Sequence, residues 1–494
     1  MIRAAILGII LAAGTAQAQE IITKEYEGGG VYEGTFRNGL QHGTGTYTLP
    51  SGYQYTGEFV DGEIRGQGRA RFADGSIYEG SFENGKPHGV GTITFADGGT
   101  YTGSWVDGRI DGDGAAQYAN GTRYRGEFVN AVHHGQGVME MPSGYRYEGG
   151  WIDGLKEGEG RITYPDGSTY EGGMQGNLRH GEGIFRSPDG LTYDGQWTDG
   201  AITGTGTLIQ PGGDAYVGTL VDGRREGNGI VTYANGDRYE GSFVADLRHG
   251  HGTFTRPDGY EYVGEWSAGL IEGQGRVRYP DGSVYEGSFK DDLADGEGRI
   301  EYADGTVYEG GWRDGTIHGE GRAVYANGMT YEGGFQDGRN HGEGVMTFPD
   351  GYRYEGEWRD GERHGDGRAT YADGTIYEGT FVDGQREGEG RIAKPDGFSY
   401  AGGWRAGVIH GAGTATYANG DVYEGEFVNG QRQGPGTMRY ATGQVETGRW
   451  ESGDFAEARP LDTVESQIQP TSAEADEATA QAEDEAAGGA VATD

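Results

Sequence analysis

The chain has 494 residues, of which 78 are acidic and 39 basic, so its net charge is −39. Nucleic acid and anionic membrane surfaces both bind basic protein surfaces, so this charge excludes the first as a main ligand and disfavours the second. No cysteine is present, which excludes disulfides and thiolate metal sites. Only 34% of the residues are apolar, yet 12% are aromatic and 103 are glycine. We therefore expect a thin structure that covers aromatic rings with glycine backbone rather than a deep core.

The first 18 residues have the pattern of an export signal. Arg3 supplies a positive charge, residues 4–13 form an apolar run, and residues 16–18 (Ala-Gln-Ala) resemble a signal-peptidase site. The run is too short to span a bilayer as an anchor. The sequence thus predicts a signal peptide over 1–18, a lead-in over 19–31, and a periplasmic or extracellular protein.

The rest of the chain is dominated by a 23-residue repeat. Its first residue is a tyrosine, called position zero here, and eighteen units follow one another without insertion or deletion. Glu446 replaces the tyrosine in a degenerate nineteenth unit, so the array spans 32–450. Such a fixed period indicates a repeat architecture. The tyrosines are Tyr32, Tyr55, Tyr78, Tyr101, Tyr124, Tyr147, Tyr170, Tyr193, Tyr216, Tyr239, Tyr262, Tyr285, Tyr308, Tyr331, Tyr354, Tyr377, Tyr400 and Tyr423.

Alternation inside each unit predicts two β-strands. Positions zero, two and four share one face and are Tyr, Gly and an aromatic residue, except for Met174 and Leu220 at position four. Position fifteen is apolar, and glycine also occupies positions eleven, thirteen and twenty in every unit. We expect the glycines at two and thirteen to let rings lie over the backbone. On the opposite face, Glu at position one and Thr or Arg at fourteen predict cross-strand pairs.

Both connections carry turn residues. Asp-Gly or Asn-Gly at positions six and seven predicts a hairpin, and Pro-Asp-Gly recurs between units. The predicted fold is all-β: an elongated single-sheet, solenoid-like array of 23-residue β-hairpins. Position seven is not glycine in four units, which carry Ala131, Asn177, Asp246 and Asp292.

All eight tryptophans occupy position four, and we predict that they form an interaction face. They recur every 46 residues, but the gap between Trp197 and Trp266 is 69. Two explanations fit this phase slip. Either the array grew by duplication of two-unit blocks that were later joined, or alternate hairpins are structurally inequivalent and the slip marks a bend between those two residues. The candidate face comprises Trp105, Trp151, Trp197, Trp266, Trp312, Trp358, Trp404 and Trp450.

The unit resembles the MORN (membrane occupation and recognition nexus) repeat. Residues 354–358 (Tyr-Glu-Gly-Glu-Trp) and 364–367 (His-Gly-Asp-Gly) carry this resemblance, which covers 32 to about 450. It implies a β-hairpin scaffold for protein contacts, self-association and sometimes lipid contacts. Catalytic domains that accompany such repeats in the family have no room in this chain.

Nine histidines stand at position ten, which invites a metal hypothesis. Equivalent atoms of adjacent units should lie about 9.6 Å apart, whereas Zn–N bonds are about 2.1 Å. Hydrogen bonding at the corner of the hairpin is therefore expected instead. No calcium-loop or nucleotide-binding motif is complete, so no catalytic, cofactor or metal residue is predicted. The histidines are His42, His88, His134, His180, His249, His318, His341, His364 and His410.

Residues 451–494 are predicted to be a disordered acidic tail, because the repeat pattern stops and acidic residues dominate. Two functions fit the whole pattern. The first is a non-enzymatic exported scaffold that binds an unidentified protein partner or itself. The alternative is an envelope protein that holds lipid acyl chains or glycans in an aromatic trough.

Overall fold

The computed structural model describes residues 20–458, and all their regular secondary structure is β-strand. The predicted all-β array of hairpins is confirmed. The chain also divides into two large compact units, which are distinct from the 23-residue repeat units. The first compact unit ends at His341 and the second begins at Gly342. Over residues 20–458, no helix is long and apolar enough to cross a membrane. The predicted signal peptide and the tail beyond residue 458 lie outside the described residues.

The strands follow one another in chain order. Those of the first unit are β1 (Ile22–Glu25), β2 (Val31–Arg37), β3 (Leu40–Thr48), β4 (Gln54–Val60), β5 (Glu63–Arg71), β6 (Ile77–Glu83), β7 (Lys86–Thr94), β8 (Thr100–Val106), β9 (Arg109–Gln117), β10 (Arg123–Val129), β11 (Val132–Glu140), β12 (Arg146–Ile152), β13 (Leu155–Thr163), β14 (Thr169–Gln175), β15 (Leu178–Arg186), β16 (Thr192–Thr198), β17 (Ala201–Ile209), β18 (Ala215–Val221), β19 (Arg224–Thr232), β20 (Arg238–Val244), β21 (Leu247–Thr255), β22 (Glu261–Ser267), β23 (Leu270–Arg278), β24 (Val284–Lys290), β25 (Leu293–Glu301), β26 (Val307–Arg313), β27 (Thr316–Val324) and β28 (Thr330–Gln336). Strand β29 (Arg339–Thr347) contains the boundary. The second unit continues with β30 (Arg353–Arg359), β31 (Glu362–Thr370), β32 (Ile376–Val382), β33 (Gln385–Ala393), β34 (Ser399–Arg405), β35 (Val408–Thr416), β36 (Val422–Val428), β37 (Gln431–Arg439), β38 (Val445–Glu451) and β39 (Asp454–Ala458).

Each repeat supplies a seven-residue strand and a nine-residue return strand, as β26 and β27 show. Pairing is antiparallel, and the glycines at positions two and thirteen lie directly opposite each other. Gly310 pairs with Gly321 within its hairpin and with Gly298 of the preceding one. A bulge separates Gly310 from Trp312 on the first strand. The repeat thus brings backbone without side chains together at every strand pair.

The turn at positions six and seven has the geometry that its sequence predicts. Asp314 and Gly315 have φ angles of 48° and 77°. A type I′ turn needs positive φ at both central residues, and its twist matches that of the strands. The four units without glycine at position seven keep this conformation, at Ala131 (64°), Asn177 (73°), Asp246 (73°) and Asp292 (68°).

The position-zero tyrosines form the centre of the core. The Tyr308 hydroxyl donates to the carbonyl oxygen of Gly311 at 2.9 Å, which lays the ring over Gly310 and Gly321. A Cβ atom on Gly310 or Gly321 would lie 2.7 or 2.4 Å from that hydroxyl. Tyr308 itself is only 1% exposed. The predicted role of these glycines is therefore confirmed: they leave space for the ring.

The opposite face is polar and carries the predicted cross-strand pairs. Arg276 Nε lies 2.8 Å from Glu286 Oε1, and the hydroxyls of Thr46 and Thr56 lie 3.1 Å apart. Both side chains of the Arg276–Glu286 pair are about half exposed, at 46% and 59%. Exposed pairs of this kind contribute about 0–1 kcal/mol each, so this face adds little to stability.

The sheets extend beyond the predicted array at both ends. Strand β1 belongs to the lead-in and pairs with β2. Strand β39 pairs with β38, and the rings of Trp450 and Phe455 lie 5.2 Å apart. Residues 451–458, which the sequence assigned to the tail, are therefore part of a sheet. Packing of Phe455 against Trp450 explains this extension.

The pairing of the opposed glycines is constant across the region of the tryptophan phase slip. Opposed glycines occur in four successive hairpins between Tyr170 and Trp266: Gly172 with Gly183, Gly195 with Gly206, Gly218 with Gly229, and Gly241 with Gly252. Position three also pairs with position ten in two of these hairpins, Thr219 with Glu226 and Ser242 with His249, but the same pairing occurs outside the region at Glu127 and His134. No pairing peculiar to this region therefore marks a bend. The slip changes which side chain stands at position four, where Leu220 takes the place of a ring.

Candidate functional site

The structure places the predicted interaction face inside the core. Seven of the eight tryptophans are between 2% and 7% exposed, with Trp450 the lowest and Trp358 the highest. The remaining one, Trp312, is partly buried. The alternation in sequence identified their common side of the sheet, but it could not show that the rings cover one another.

Most position-four rings pack between two tyrosines; Trp450, whose unit has no tyrosine at position zero, packs between Tyr423 and Phe455. Trp312 lies edge-on to Tyr308 of its own unit at 5.7 Å and to Tyr285 of the preceding unit at 5.0 Å. Edge-to-face contacts of this kind place the positive ring edge against the negative ring face. The result is a ladder of alternating rings that joins successive hairpins.

The indole N–H group of every tryptophan also has a partner. It donates to the carbonyl oxygen of the position-thirteen glycine in the preceding unit, at 3.1 to 3.4 Å. Burial without this bond would leave a polar group unsatisfied. The acceptors are Gly91, Gly137, Gly183, Gly252, Gly298, Gly344, Gly390 and Gly436.

Sequence reasoning missed the cations at position nine, which stack on the ladder. The guanidinium carbon of Arg248 lies 3.9 Å from the Trp266 ring, and Nη2 donates to the Gly269 carbonyl at 2.9 Å. One side chain thus covers the next ring and closes the next turn. The available signal was the recurrence of arginine at this position, as Arg179, Arg225, Arg248, Arg363, Arg386 and Arg432.

Position ten holds an acceptor for the next hairpin turn. His42 Nδ1 accepts from the backbone N–H of Asp61 at 3.3 Å, and Glu157 Oε2 accepts from Gly176 N at 2.8 Å. The predicted corner hydrogen bond is confirmed there and at His88. It is not made in five other units, where a buried Nδ1 has no hydrogen-bond partner: His134, His180, His341, His364 and His410.

No metal centre is evident around these histidines. Over residues 20–458, no group of three or more His, Asp or Glu side chains is placed to hold an ion. His180 Nδ1 lies 3.7 Å from the carboxylate of Asp199, and His134 and His364 each have one carboxylate at a similar distance. The arrangement serves turn geometry.

Burial raises the pKa of the ladder tyrosines. The pKa values of Tyr78, Tyr101 and Tyr170 rise to about 12 because their phenols are removed from water. These tyrosines are therefore neutral hydrogen-bond donors at ordinary pH. A catalytic acid or base would need a pKa closer to neutrality.

Two clefts open on the aromatic face of the second compact unit, which begins at Gly342. One, of 820 Å³, lies over Trp404 and is bordered by Arg386 and Lys394. The other, of 480 Å³, lies over Trp358 and contains Arg363. Tyr352 borders both. Volumes of this size fall in the range of small-molecule sites.

The hairpin turns carry an aliphatic stripe formed by positions five and eight. Ile152 is 51% exposed and Leu155 45%. A Cβ atom on Gly154 would lie 3.2 Å from Val132 Cγ1, which shows that the stripe steps from one hairpin to the next. In this part of the first unit it comprises Val129, Val132, Ile152, Leu155 and Leu178.

Comparisons with known proteins agree with this architecture. The family described as MORN repeat matches residues 32–52, 55–77, 78–100, 101–123, 124–144, 147–169, 170–192, 193–215, 216–238, 239–259, 262–284, 285–307, 308–330, 331–351, 354–376, 377–398, 400–422 and 423–445. A search of curated proteins returned no match.

Similar solved structures are distant. The SAS-4 (dCPAP) TCP domain of Drosophila melanogaster, in complex with a proline-rich motif of Ana2, is 15% identical with a TM-score of 0.20, covering 36% of this chain and 85% of that one. The TCP10 domain of Danio rerio CPAP, in complex with a STIL peptide, is 15% identical with a TM-score of 0.14, covering 58% and 97%. Virginiamycin B lyase of Staphylococcus aureus is 10% identical with a TM-score of 0.10, covering 58% and 82%.

The hairpin period, the opposed glycines and the tyrosine ladder all fall within the matched residues, which extend from 32 to 445. The chain belongs to the MORN repeat family.

Proposed function

We propose that this protein is a non-enzymatic exported scaffold whose array binds protein partners or further copies of itself. MORN repeats generally mediate protein–protein or membrane interactions. Export rests on the pattern of residues 1–18, and a periplasmic or extracellular location follows from it. The net charge of −39 favours a protein over an anionic membrane surface as the partner.

The exposed aliphatic stripe at the hairpin turns carries this proposal. Because the tryptophans are buried, the stripe replaces them as the expected contact surface. Val132, Ile152 and Leu155 are 41–51% exposed although water contact with such side chains is unfavourable. Contiguous exposed apolar surface is typical of protein interaction sites.

A non-enzymatic role is supported by the repetition of the chemistry-bearing side chains. The acceptor at position ten and the arginine at position nine each serve a turn or a ring in several units, as His42 and Arg248 do. An active site needs a set of residues with roles that differ from one another.

The experiment compares residues 19–494 with the double variant Ile152→Ser/Leu155→Ser. Sedimentation velocity over a range of concentrations should show reversible association that is weaker in the variant. A photo-crosslinking residue at position 152 should capture a second copy or a protein partner in cells. Val263→Ser is the matched control, because Val263 is 43% exposed but stands at position one, on the polar face. A chain that stays monomeric and gives no crosslink would overturn the proposal.

The alternative, a ligand-binding envelope protein, is favoured by one specific observation. The two clefts of the second unit lie on the aromatic face, where the sequence predicts a trough for glycans or acyl chains. Their charged borders favour a polar ligand over an acyl chain, since an apolar chain would leave cations without partners.

A further inference from the structure

The 820 Å³ cleft of the second compact unit is lined by two cations, Arg386 and Lys394. We propose that it binds a uronate sugar, that is, a sugar ring bearing one carboxylate and several hydroxyl groups, as part of an acidic polysaccharide. This cleft, called the Arg386 cleft, is lined by Tyr352, Tyr371, Arg386, Lys394, Phe398 and Trp404 among others. The site is independent of the scaffold function proposed above.

Arg386 departs from the arginines at equivalent positions. Its guanidinium carbon lies 4.4 Å from the Trp404 ring and 5.3 Å from the Tyr377 ring. Within the described part of the chain, its guanidinium makes no hydrogen bond or ion pair. In the five other units with arginine at position nine, a guanidinium nitrogen donates to a turn carbonyl, at Gly200, Asp246, Gly269, Gly384 and Gly453.

The stacked guanidinium is thus oriented by two rings while its donors stay free. A planar guanidinium presents parallel N–H groups that match the two oxygens of a carboxylate. Stacking on Trp404 fixes the plane of the group before a ligand arrives. Less side-chain freedom is then lost on binding.

Lys394 adds a second cation where most units have a ring. Position seventeen is aromatic in twelve units, including Tyr371 and Tyr417 on either side, but it is lysine here. Lys394 Nζ lies 5.5 Å from the centre of the Phe398 ring. Among residues 20–458 it forms no ion pair, although its charge contributes to the lowered pKa of Asp373. Lysine at this position removes a ring from the trough and places two cations that form no ion pair in one cleft, in a chain of net charge −39.

The rings of the cleft fit the faces of a sugar. Tyr352 and Tyr371 have centroids 5.2 Å apart with tilted planes, and Phe398 lies on the same border. Aromatic faces carry partial negative charge and attract the C–H groups of a pyranose ring. Neutral stacking of this kind supplements the charge contacts.

Two carboxylates on the border narrow the ligand class. Asp350 and Asp373 line the cleft together with the cations. The hydrogen bond from the Thr375 backbone N–H lowers the pKa of Asp373, so this carboxylate is an ionised acceptor. A dense polyanion such as polyglutamate would be repelled by both aspartates, whereas sugar hydroxyls donate to them. A ligand with one carboxylate and several hydroxyl groups can pair its carboxylate with the cations and donate hydrogen bonds from its hydroxyls to the aspartates.

The neighbouring cleft provides an internal comparison. There Arg363 donates to the Gly384 carbonyl at 2.7 Å and to the Tyr352 hydroxyl. Its guanidinium is therefore engaged by the fold. The 480 Å³ cleft has the same kind of rings without a free cation, and we expect no uronate binding in it.

Isothermal titration calorimetry of residues 19–494 with a linear galacturonic acid tetramer tests the proposal. Arg386→Gln and Lys394→Gln should each weaken binding by about tenfold or more, since each removes a charge-assisted hydrogen bond. Lys290→Gln, which removes a lysine from strand β24 of the first unit, is the matched control and should leave the affinity unchanged. Thermal unfolding of each variant checks that it is folded.

Two further titrations decide specificity. A neutral galactose tetramer should bind at least about tenfold more weakly, because it lacks the carboxylate. Hexaglutamate should not bind; equal binding of hexaglutamate would show a generic cationic patch and overturn the proposal. Absence of tetramer binding, or binding that Arg386→Gln leaves unchanged, would overturn it as well. None of these titrations measures self-association, so the scaffold proposal is tested independently of this one.

Discussion

The Tyr308 hydroxyl reaches back to the carbonyl oxygen of Gly311, 2.9 Å away, and so holds its ring flat over two opposed glycines. This relationship recurs at the other position-zero tyrosines, for example at Tyr147 and Tyr285. The ring replaces the side chains that the two strands lack. Stability of the array should therefore depend on glycine at positions two and thirteen.

Gly321→Ala tests this dependence. The new Cβ would lie 2.4 Å from the Tyr308 hydroxyl, so the ring or the strand has to move. Overpacking of this kind costs about 1–3 kcal/mol, measured as the free energy of urea unfolding. Gly212→Ala is the control, since nothing lies within 4 Å of its Cβ. Equal stability of the two variants would contradict the role of the ring.

Ala131→Gly should stabilise the protein. Ala131 stands at position seven with a φ of 64°, a conformation that is unfavourable for residues with a Cβ. Relief of this strain exceeds the added entropy of the unfolded chain, for a net gain of about 0.5–1 kcal/mol. Ala119→Gly, at an inter-unit turn without positive φ, should lower the unfolding free energy instead. Destabilisation by both changes would refute the assignment of strain.

Replacement of Trp312 should affect folding rather than partner binding alone. Trp312→Phe keeps an edge-on ring but loses the 3.2 Å hydrogen bond to Gly298, at a cost of about 1 kcal/mol. Trp312→Ala also removes the contacts with Tyr285 and Tyr308 and should cost about 3 kcal/mol. Both costs can be read from denaturant unfolding followed by circular dichroism. If the alanine variant were as stable as the parent, the tryptophans could again be regarded as a contact face.

The arginines at position nine should differ in their effect on stability. Arg248→Gln loses the stacking on Trp266 and a 2.9 Å hydrogen bond to Gly269, together about 1–2 kcal/mol. Arg386→Gln loses only stacking and should cost less than about 1 kcal/mol. Thermal unfolding of the pair provides the comparison. A larger effect at Arg386 would mean that its guanidinium is used by the fold.

Stability should fall steeply at high pH. Burial raises the pKa of Tyr78 to about 12, above the ordinary value of 10.0. Above pH 10 the unfolded chain therefore loses tyrosine protons that the folded chain retains, and this stabilises the unfolded state. The stability that the folded state gains from its buried, protonated tyrosines is fully present below pH 10 and is lost as the pH rises towards 12. Absorbance at about 295 nm should show most tyrosines ionising late and together with unfolding. Ionisation near pH 10 with an unchanged circular dichroism spectrum would contradict this prediction.

Local sequence patterns were sufficient to predict the repeated fold. Asp314-Gly315 identifies the hairpin turn because few residues tolerate positive φ. The glycines at positions two and thirteen identify where Tyr308 lies, since a ring over the backbone requires them. The pairs on the polar face, such as Arg276 with Glu286, follow from register.

The candidate site could be predicted only in part, because it depends on contacts between units. The burial of Trp312 arises from Tyr285 of the preceding unit, and alternation within one unit carries no such information. The same limit applies to position nine, where Arg248 reaches the next turn and Arg386 does not. The extension of the sheet to Ala458 rests on Phe455, which lies outside the repeat pattern.

The constant register of opposed glycines has a consequence for how such a chain can vary. Within residues 32–341 of the first unit, each hairpin presents the same glycine positions to the hairpin before it and the hairpin after it, as Gly310 does with Gly298 and Gly321. Excision or duplication of 23 residues, or of a whole multiple of 23, would restore every local pairing at the junction, whereas a length that is not such a multiple would disrupt it. A gene of this kind can therefore lengthen or shorten in whole hairpins by recombination between its own repeats while the fold stays intact.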